Sequence, residues 1–460
     1  MASSGCRFAL RPADREGRPM KTVLDLDGVK TIRLQFADLH GIVRGKDVPV
    51  GELDRTVEDC AHFVGAVMTV DLGHHVVPGF EESGFKDIAA RPDLSTLARV
   101  PWEPTVAACI ANLERVADHE PFELDGRAVL KRIVAGYEQL GLSPVVAPEL
   151  EFFLCEPDES SRGGWRPYAG HDSHVYTVGH QADPRGILGR MMEAADAVGL
   201  DVIAGNHEYG RGQFEINIRH GEAVESADRA FRLKWLVKEM AAREGLLATF
   251  IGKPWNDDEG SGFHLHVSLC DADGMNCCGD TEGENGLAAL TRSFIAGVLA
   301  HAAPLMAFFN PTVNAYRRIN PEALVPTRAC WGYDNRFTFV RVPPERGSAT
   351  RAEIRIGDGA ANPYLAYAAT LAAGLDGIRR KLEPAPALSG FIYELPEEQQ
   401  GAALPMTLPE ALAALEADEL LRSSMGEKLI HTFTVIKRYE LSRFDQWVSD
   451  WELREYLHHL

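Results

Sequence analysis

The sequence contains no run of ~18 apolar residues, the length a helix needs to cross a bilayer. Its opening residues, Met1-Ala2-Ser3-Ser4-Gly5-Cys6, lack the charged-then-apolar pattern of a secretory leader. A soluble, cytoplasmic protein is therefore expected. Positive charge is scarce: 47 lysines and arginines face 67 acidic residues, for a formal net charge of -20. That balance argues against nucleic acid or an anionic membrane as partner, because both are held by basic patches that displace counterions. The eight cysteines include no Cys-x-x-Cys pair and no regular spacing, so reduced, mostly buried thiols are expected in preference to disulfides or zinc. Cys277 and Cys278 follow a turn-like stretch and receive no function. No internal repeat or low-complexity segment is present.

What remains is long and apolar enough to bury a large core: 460 residues, 45% hydrophobic. Residues 1–22 are rich in Arg, Ser, Gly and Pro and read as a peripheral tail. Residues 31–48 alternate apolar and polar around Leu39-His40-Gly41, a hairpin signal. An apolar stretch at 63–70 and a strand at 105–113 complete a small mixed domain, 23–118. From 127 the texture changes to amphipathic helices at 128–140 and 184–198, with strands at 145–154, 214–218, 247–251 and 262–269. Helices are expected again at 285–309, 361–382, 408–421 and 427–460, with a surface loop over 384–405. A second, larger domain is placed at 119–460.

Four motifs follow one another in this second domain. In Pro148-Glu149-Leu150-Glu151, strand alternation projects both carboxylates to one side. Two such groups repel unless a cation lies between them, although a solvated strand face would show the same pattern. Glu208 and Glu215 bracket Gly210 and Gly212, whose freedom allows the chain to turn and bring both acids together. Oxygen-rich ligands of this kind suit Mg²⁺ or Mn²⁺ rather than zinc. The third motif, Gly260-Ser261-Gly262-Phe263-His264-Leu265-His266, offers His264 to a metal and His266 to a phosphate oxygen, beside a loop with free backbone N–H groups. In the fourth, Arg351, Glu353 and Arg355 share a strand face, and Arg336 and Arg341 lie just upstream. Guanidinium groups in such number match phosphate and carboxylate geometry. Carboxylates for a metal combined with arginines for phosphate point to phosphoryl transfer from ATP to an acidic substrate.

On these residues the chain resembles the glutamine synthetase family, from about residue 23 to the end. The run from Gly252-Lys253-Pro254-Trp255 through His264-Leu265-His266-Val267-Ser268 is similar to the family's ATP-site signature, and Asn310-Pro311-Thr312, Asp334-Asn335-Arg336 and Asn362-Pro363-Tyr364 match further blocks. The resemblance implies an α+β fold: an N-terminal β-grasp domain followed by a catalytic domain with a curved antiparallel sheet flanked by helices. It implies two or three Mg²⁺ or Mn²⁺ ions, with Glu151, Glu208 and Glu215 at one and Glu149, His264 and Glu353 at another. Arg318, Gly260, Arg336 and Arg355 would hold glutamate and its phosphorylated form. Glu208, His266, Ser268, Arg341, Arg219 and His220 fall at nucleotide positions. The resemblance further implies a two-step reaction in which ATP phosphorylates the γ-carboxylate of L-glutamate and an amine then displaces phosphate. The expected assembly is a dodecamer of two hexameric rings with active sites between subunits.

The departures lie at the ammonia end. A flap glutamate belongs six residues after Arg318, where this chain has Leu324; Glu322 could compensate in a shifted register. The family's Asp-Gly-Ser-Ser loop is replaced by residues 68–75, leaving Asp71 as the candidate carboxylate. Glu259 replaces a small or amide residue, and His220 an aromatic one. Altered ammonia chemistry beside intact phosphate chemistry implies a ligase for an organic primary amine. A small alkylamine, arylamine or ethanolamine would suit Leu324, Val325 and Trp331; a polyamine would use Asp71, Glu81 and Glu82. Ammonium as substrate, and a non-catalytic family member, stand as alternatives. Tyr393 occupies the position of an adenylylated tyrosine in some relatives, although an ordinary loop tyrosine explains it as well.

Overall fold

The computed structural model describes residues 26–169, 174–321 and 324–460, so the expected tail at 1–22 and Glu322 lie outside the described residues. The hairpin forms as expected. Strands β1 (Thr31–Ala37) and β2 (Val43–Pro49) pair antiparallel, with Ile32, Leu34 and Phe36 inward and Arg33 outward, bonded to Asp47 across the pair at 2.9 Å. The Asp38 carboxylate accepts the N–H groups of His40 (2.9 Å) and Ile42 (3.0 Å), the side-chain chemistry that makes Asp a turn former. Gly41 is left-handed (φ 77°), and a Cβ there would approach the Asn362 Cα to 3.0 Å.

Helix α1 (Leu53–Asp59) leads to β3 (Ala61–Val64), β4 (Asp87–Pro92), β5 (Ala98–Arg99) and β6 (Val106–Arg115). The apolar stretch expected over 63–70 divides between β3 and a 3₁₀ turn at Gly65–Met68. The first sheet runs β2-β1-β6-β4-β3, with β5 also on β6 and only β1 and β6 parallel.

Helix α2 (Gly126–Glu138) leads into β7 (Ser143–Pro157), the central strand of a ten-stranded sheet. Then come β8 (Trp165–Pro167), α3 (Ile187–Ala197), β9 (Val202–His207), β10 (Gln213–Ile218), β11 (Gly221–Glu222), α4 (Ala223–Arg243), β12 (Leu247–Thr249) and β13 (Gly262–Cys270). Helices α5 (Ala289–Ala300) and α6 (Ala302–Phe309) precede β14 (Arg328–Ala329), β15 (Trp331–Tyr333), β16 (Val340–Val342) and β17 (Ala352–Asp358). The path is β15-β16-β17-β13-β7-β10-β9, with β8, β11 and β12 also on β7 and only β15 and β16 parallel. The remaining elements are α7 (Pro363–Arg380), β18 (Ala402–Ala403), which pairs β14, α8 (Leu408–Ala417), α9 (Glu419–Met425), α10 (Glu427–Asp445) and α11 (Asp450–Tyr456).

Asn362 joins the two parts. Its side chain caps α7 by accepting Tyr364 N–H at 3.0 Å and donates to the Asp38 carbonyl of the hairpin at 2.9 Å, while Pro363 fills the first helical position, where no N–H is needed. Behind the catalytic sheet α7 is buried along most of its length, against α2 and α5. The α4 helix, 21 residues long, is not anticipated from the sequence. The seven described cysteines are unpaired.

The apolar run at 285–309 does not form one helix. It breaks at His301, where the axes of α5 and α6 bend by 74°, and among the described residues no single helix is long and apolar enough to cross a membrane. His301 holds the corner: Nδ1 is 2.6 Å from Asp418 and Nε2 3.3 Å from Asp376. Burial opposes protonation here, but the two carboxylates outweigh it and raise the pKa. A raised folded-state pKa stabilises below the unfolded value of about 6.5, and that stability is lost as pH rises through the folded value. His301→Gln should lower the melting temperature by roughly 2 °C at pH 6 and by less at pH 9 in calorimetry.

Candidate active site

Strand register assembles the carboxylates. In β7, Leu150 and Phe152 are fully buried on the core side, which turns Glu149 and Glu151 to the opposite face. Glu151 stands opposite Glu215 of β10, and Glu215 opposite Asn206 of β9. Glu149 stands between Asn217 of β10 and His264 of β13, while His266 faces Glu353 of β17. The acidic and imidazole groups thus form a stepped stripe across four neighbouring strands, β10, β7, β13 and β17.

The stripe divides electrostatically. Glu149 contacts both His264 Nδ1 (3.1 Å) and His266 Nε2 (2.7 Å). Burial works against its ionisation, but these imidazoles prevail and hold its pKa well below the carboxylate range. Glu353 is bonded to Arg341 at 2.7 Å and to Arg355, and despite burial it is pulled down to about 2. Among the described residues no cation is bonded to the other three acids, although Arg318 lies near enough to Glu151 to favour its charge. Burial, then Glu208, pushes Glu151 up to about 7; burial and the neighbouring acids raise Glu215 well above the usual range; burial raises Glu208. Amides hold these three: Gln213 bonds Glu151 (2.7 Å), Asn206 bonds Glu208 (2.6 Å) and Asn217 bonds Glu215. Clustered, buried carboxylates lacking countercharge fit a hard divalent cation. Around Glu149 and Glu353 the structure adds a ligand: the donor atoms of Glu149, His266 and Glu353 lie within 4.8 Å of one another, whereas His264 Nδ1 is 4.0 Å from Glu353. His266, expected at phosphate, therefore also stands within reach of a metal.

Arg318 is buried beside this stripe. Its Nε donates to Ser261 O at 3.0 Å and a second nitrogen to Gly357 O, while Nη1 is buried with no hydrogen-bond partner among the described residues, as is Nε of Arg355. A Cβ on Gly260 would come within 2.8 Å of the Arg318 Cβ, so this approach requires glycine. Arg336 and Glu259 are exposed. Tyr176, which the sequence reading passes over, lies close enough to Glu208, Arg336 and Glu215 to feel their charges, while burial raises its pKa. A cleft of about 1570 Å³ opens at one end of the stripe, lined by Glu149, His266, Ser268, Arg351, Arg219 and His220. Four of the six residues expected at the nucleotide share it. Glu208 and Arg341 are not among its lining residues, and Arg341 is engaged by Glu353 and Asp334.

The ammonia-end residues behave differently. Asp71 is fully buried; it pairs with Arg443 of α10 and accepts the His75 N–H at 2.8 Å. With its oxygens held by these donors it anchors its own loop, so within this chain the carboxylate expected at the amine is engaged by Arg443 and His75. Leu324 is half-buried and left-handed (φ 57°), an uncommon backbone for leucine. The Tyr393 hydroxyl accepts Thr327 N–H at 2.9 Å and so fastens the base of the segment that carries Leu324.

Comparison with known proteins places the chain in a family. A family model described as "Glutamine synthetase, catalytic domain" matches residues 123–456. Glutamine synthetase from Methanococcus maripaludis is 35% identical over 94% of this chain and 97% of that protein. A glutamate--isopropylamine ligase from a Pseudomonas species is 32% identical over 95% and 97%. Among solved structures, a GmaS/ADP complex superposes with TM-score 0.83 at 33% identity, covering 94% of this chain and 97% of that one. Fold and relatives together define an ATP-dependent carbon–nitrogen ligase. The chain belongs to the glutamine synthetase family.

Proposed function

We propose that this enzyme joins the γ-carboxylate of L-glutamate to an organic primary amine through γ-glutamyl phosphate, releasing ADP and phosphate. One observation carries the reading. The carboxylate stripe and the arginines beside it are complete, whereas at the amine end Asp71 is consumed by Arg443 and the flap position holds Leu324. The isopropylamine-ligating relative supports it.

In this reading Glu151, Glu208 and Glu215 hold one divalent ion, and Glu149, Glu353 and a histidine, His264 or His266, hold another; Mg²⁺ and Mn²⁺ both suit the donors. Bound there, the ions neutralise the phosphate oxygens of ATP as charge develops. The chain's own residues do the rest. The cleft lined by His266, Ser268, Arg219 and His220 takes the nucleotide, and Arg318 with Gly260 orients glutamate so that a γ-carboxylate oxygen attacks the γ-phosphorus. Arg341 and Arg355 fix Glu353, and Arg355 and Arg336 face the acyl phosphate. The amine nitrogen then attacks the acyl carbon and phosphate leaves. An alkylammonium titrates near the lysine value of about 10.4, so the amine must first give a proton to solvent water, and the apolar sides of Leu324 and Val325 favour its neutral form. A dodecamer with sites between subunits belongs to the same reading. Exposed Trp447, Val448, Trp451 and Leu457 at the C-terminus supply apolar surface for such an assembly.

Other relatives are named glutamine synthetase, which favours ammonium as the nitrogen donor. ADP release with ATP, Mg²⁺ and L-glutamate across ammonium, alkylamines, ethanolamine, polyamines and anilines separates the two. A small alkylamine should outperform ammonium; ammonium as the best donor sinks the amine reading. In the same panel Leu324→Glu should shift preference towards ammonium, and an unchanged preference would remove Leu324 from the amine site.

A further inference from the structure

Gln213 does more than occupy a strand. It is 2% exposed on β10, two residues before Glu215, with its side chain on the face that carries the acids. One amide nitrogen donates twice, to Glu151 Oε2 at 2.7 Å and to the Gly260 carbonyl at 3.0 Å. The amide oxygen accepts Gly210 N–H at 2.8 Å. Both hydrogens and one acceptor site are thereby committed, in three directions to three separate segments. Arg211 reinforces the link between two of them, since its N–H and Nε both reach Asp258, at 3.1 and 2.9 Å.

We propose that Gln213 is a positioning residue that couples divalent-metal binding at Glu151 to glutamate binding at the Gly260 loop. The inference rests on the reading of Glu151 as a metal ligand and of Gly260 and Arg318 as the glutamate site. An amide suits the task because it donates on one side and accepts on the other without adding charge to an already crowded group of acids. By donating to Glu151 Oε2, which also accepts Gly262 N–H at 2.7 Å, Gln213 fixes the carboxylate plane and leaves Oε1 for the cation. The same NH₂ sets the height of the Gly260 carbonyl, next to Arg318. A carboxylate that moves on losing its metal therefore pulls directly on the glutamate loop.

Gln213→Met keeps the length and removes all three hydrogen bonds. Calorimetric titration of the chelator-treated full chain with Mn²⁺ should show affinity falling by about 10-fold or more. With metal saturating, KM for glutamate should rise by a larger factor than kcat falls. A purely structural role predicts a lower melting temperature with both Mn²⁺ affinity and glutamate KM unchanged, and that result overturns the proposal. Gln213→Glu, of the same shape, guards against misfolding of the first variant. It retains the acceptor for Gly210 but loses the donor to Gly260, so glutamate KM should again rise; an unchanged KM overturns the coupling. Because Mn²⁺ titration needs neither ATP nor amine, a wrong assignment of the amine leaves this test intact, and a wrong assignment of Gln213 leaves the amine panel intact.

Discussion

Glu151→Gln should abolish turnover with every amine, a loss on the order of 10³-fold or more, and yet raise the melting temperature of the metal-free protein. Both effects follow from one geometry. Glu151 is a buried acid facing Glu208 and Glu215 with no guanidinium or ammonium bonded to it, so without metal its charge is a cost to folding. A glutamine can keep the hydrogen bonds from Gly262 and Gln213 on its oxygen and turn its NH₂ towards Glu208. The substitution therefore removes repulsion and leaves no orphaned donor. Scanning calorimetry in chelator should show a rise of ~2 °C or more, and added Mn²⁺ should stabilise the wild type far more than the variant. Turnover within tenfold of wild type would remove Glu151 from the metal site, and a falling metal-free melting temperature would refute the repulsion argument.

Arg318→Lys should raise KM for glutamate by about 10- to 100-fold and leave KM for ATP within about twofold, the scale of one charge-assisted hydrogen bond. The guanidinium spends two of its nitrogens on the Ser261 and Gly357 carbonyls, which locks its plane and leaves Nη1 as the donor for glutamate in the proposed reading. Lysine has the charge but not the planar fork, and an ammonium held between those two carbonyls leaves its third N–H short of the place that Nη1 reaches. Steady-state kinetics with each substrate varied separately decides the matter. A rise in ATP KM with glutamate KM unchanged would move Arg318 to the nucleotide.

Much of the site was legible because it is built on strands, where a period of two lets adjacent residues be sorted by face. Glu149 and Glu151, or Glu353 and Arg355, announce their shared orientation in the sequence itself. The limits are those of local reasoning. The pairing of Asp71 with Arg443 joins residues 372 apart, and nothing near Asp71 signals it. Gln213, Asn206 and Asn217 look like ordinary polar strand residues until register places an acid beside each; one available signal was their spacing of two residues from Glu208 or Glu215. The break between α5 and α6 was hidden because an apolar run reads as one helix, and only the distant Asp376 and Asp418 show what His301 does at the corner. The β-hairpin was easier, since its turn chemistry is local.

The β7 strand has the last consequence. It pairs with β13 on one side and β10 on the other, and from Ser143 to Phe152 its acids and its core residues alternate. Losing or gaining one residue within it would drive Glu149 and Glu151 into the hydrocarbon interior and expose Leu150 and Phe152, so the reaction and the ability to fold would fail together. The segment with Leu324 and the loop with Asp71 are connections between elements and carry no such double burden. On the proposed reading, such a chain can be bred for new amines by insertion and deletion in its loops, while the phosphate chemistry is changeable only by substitutions that respect the parity of a single strand.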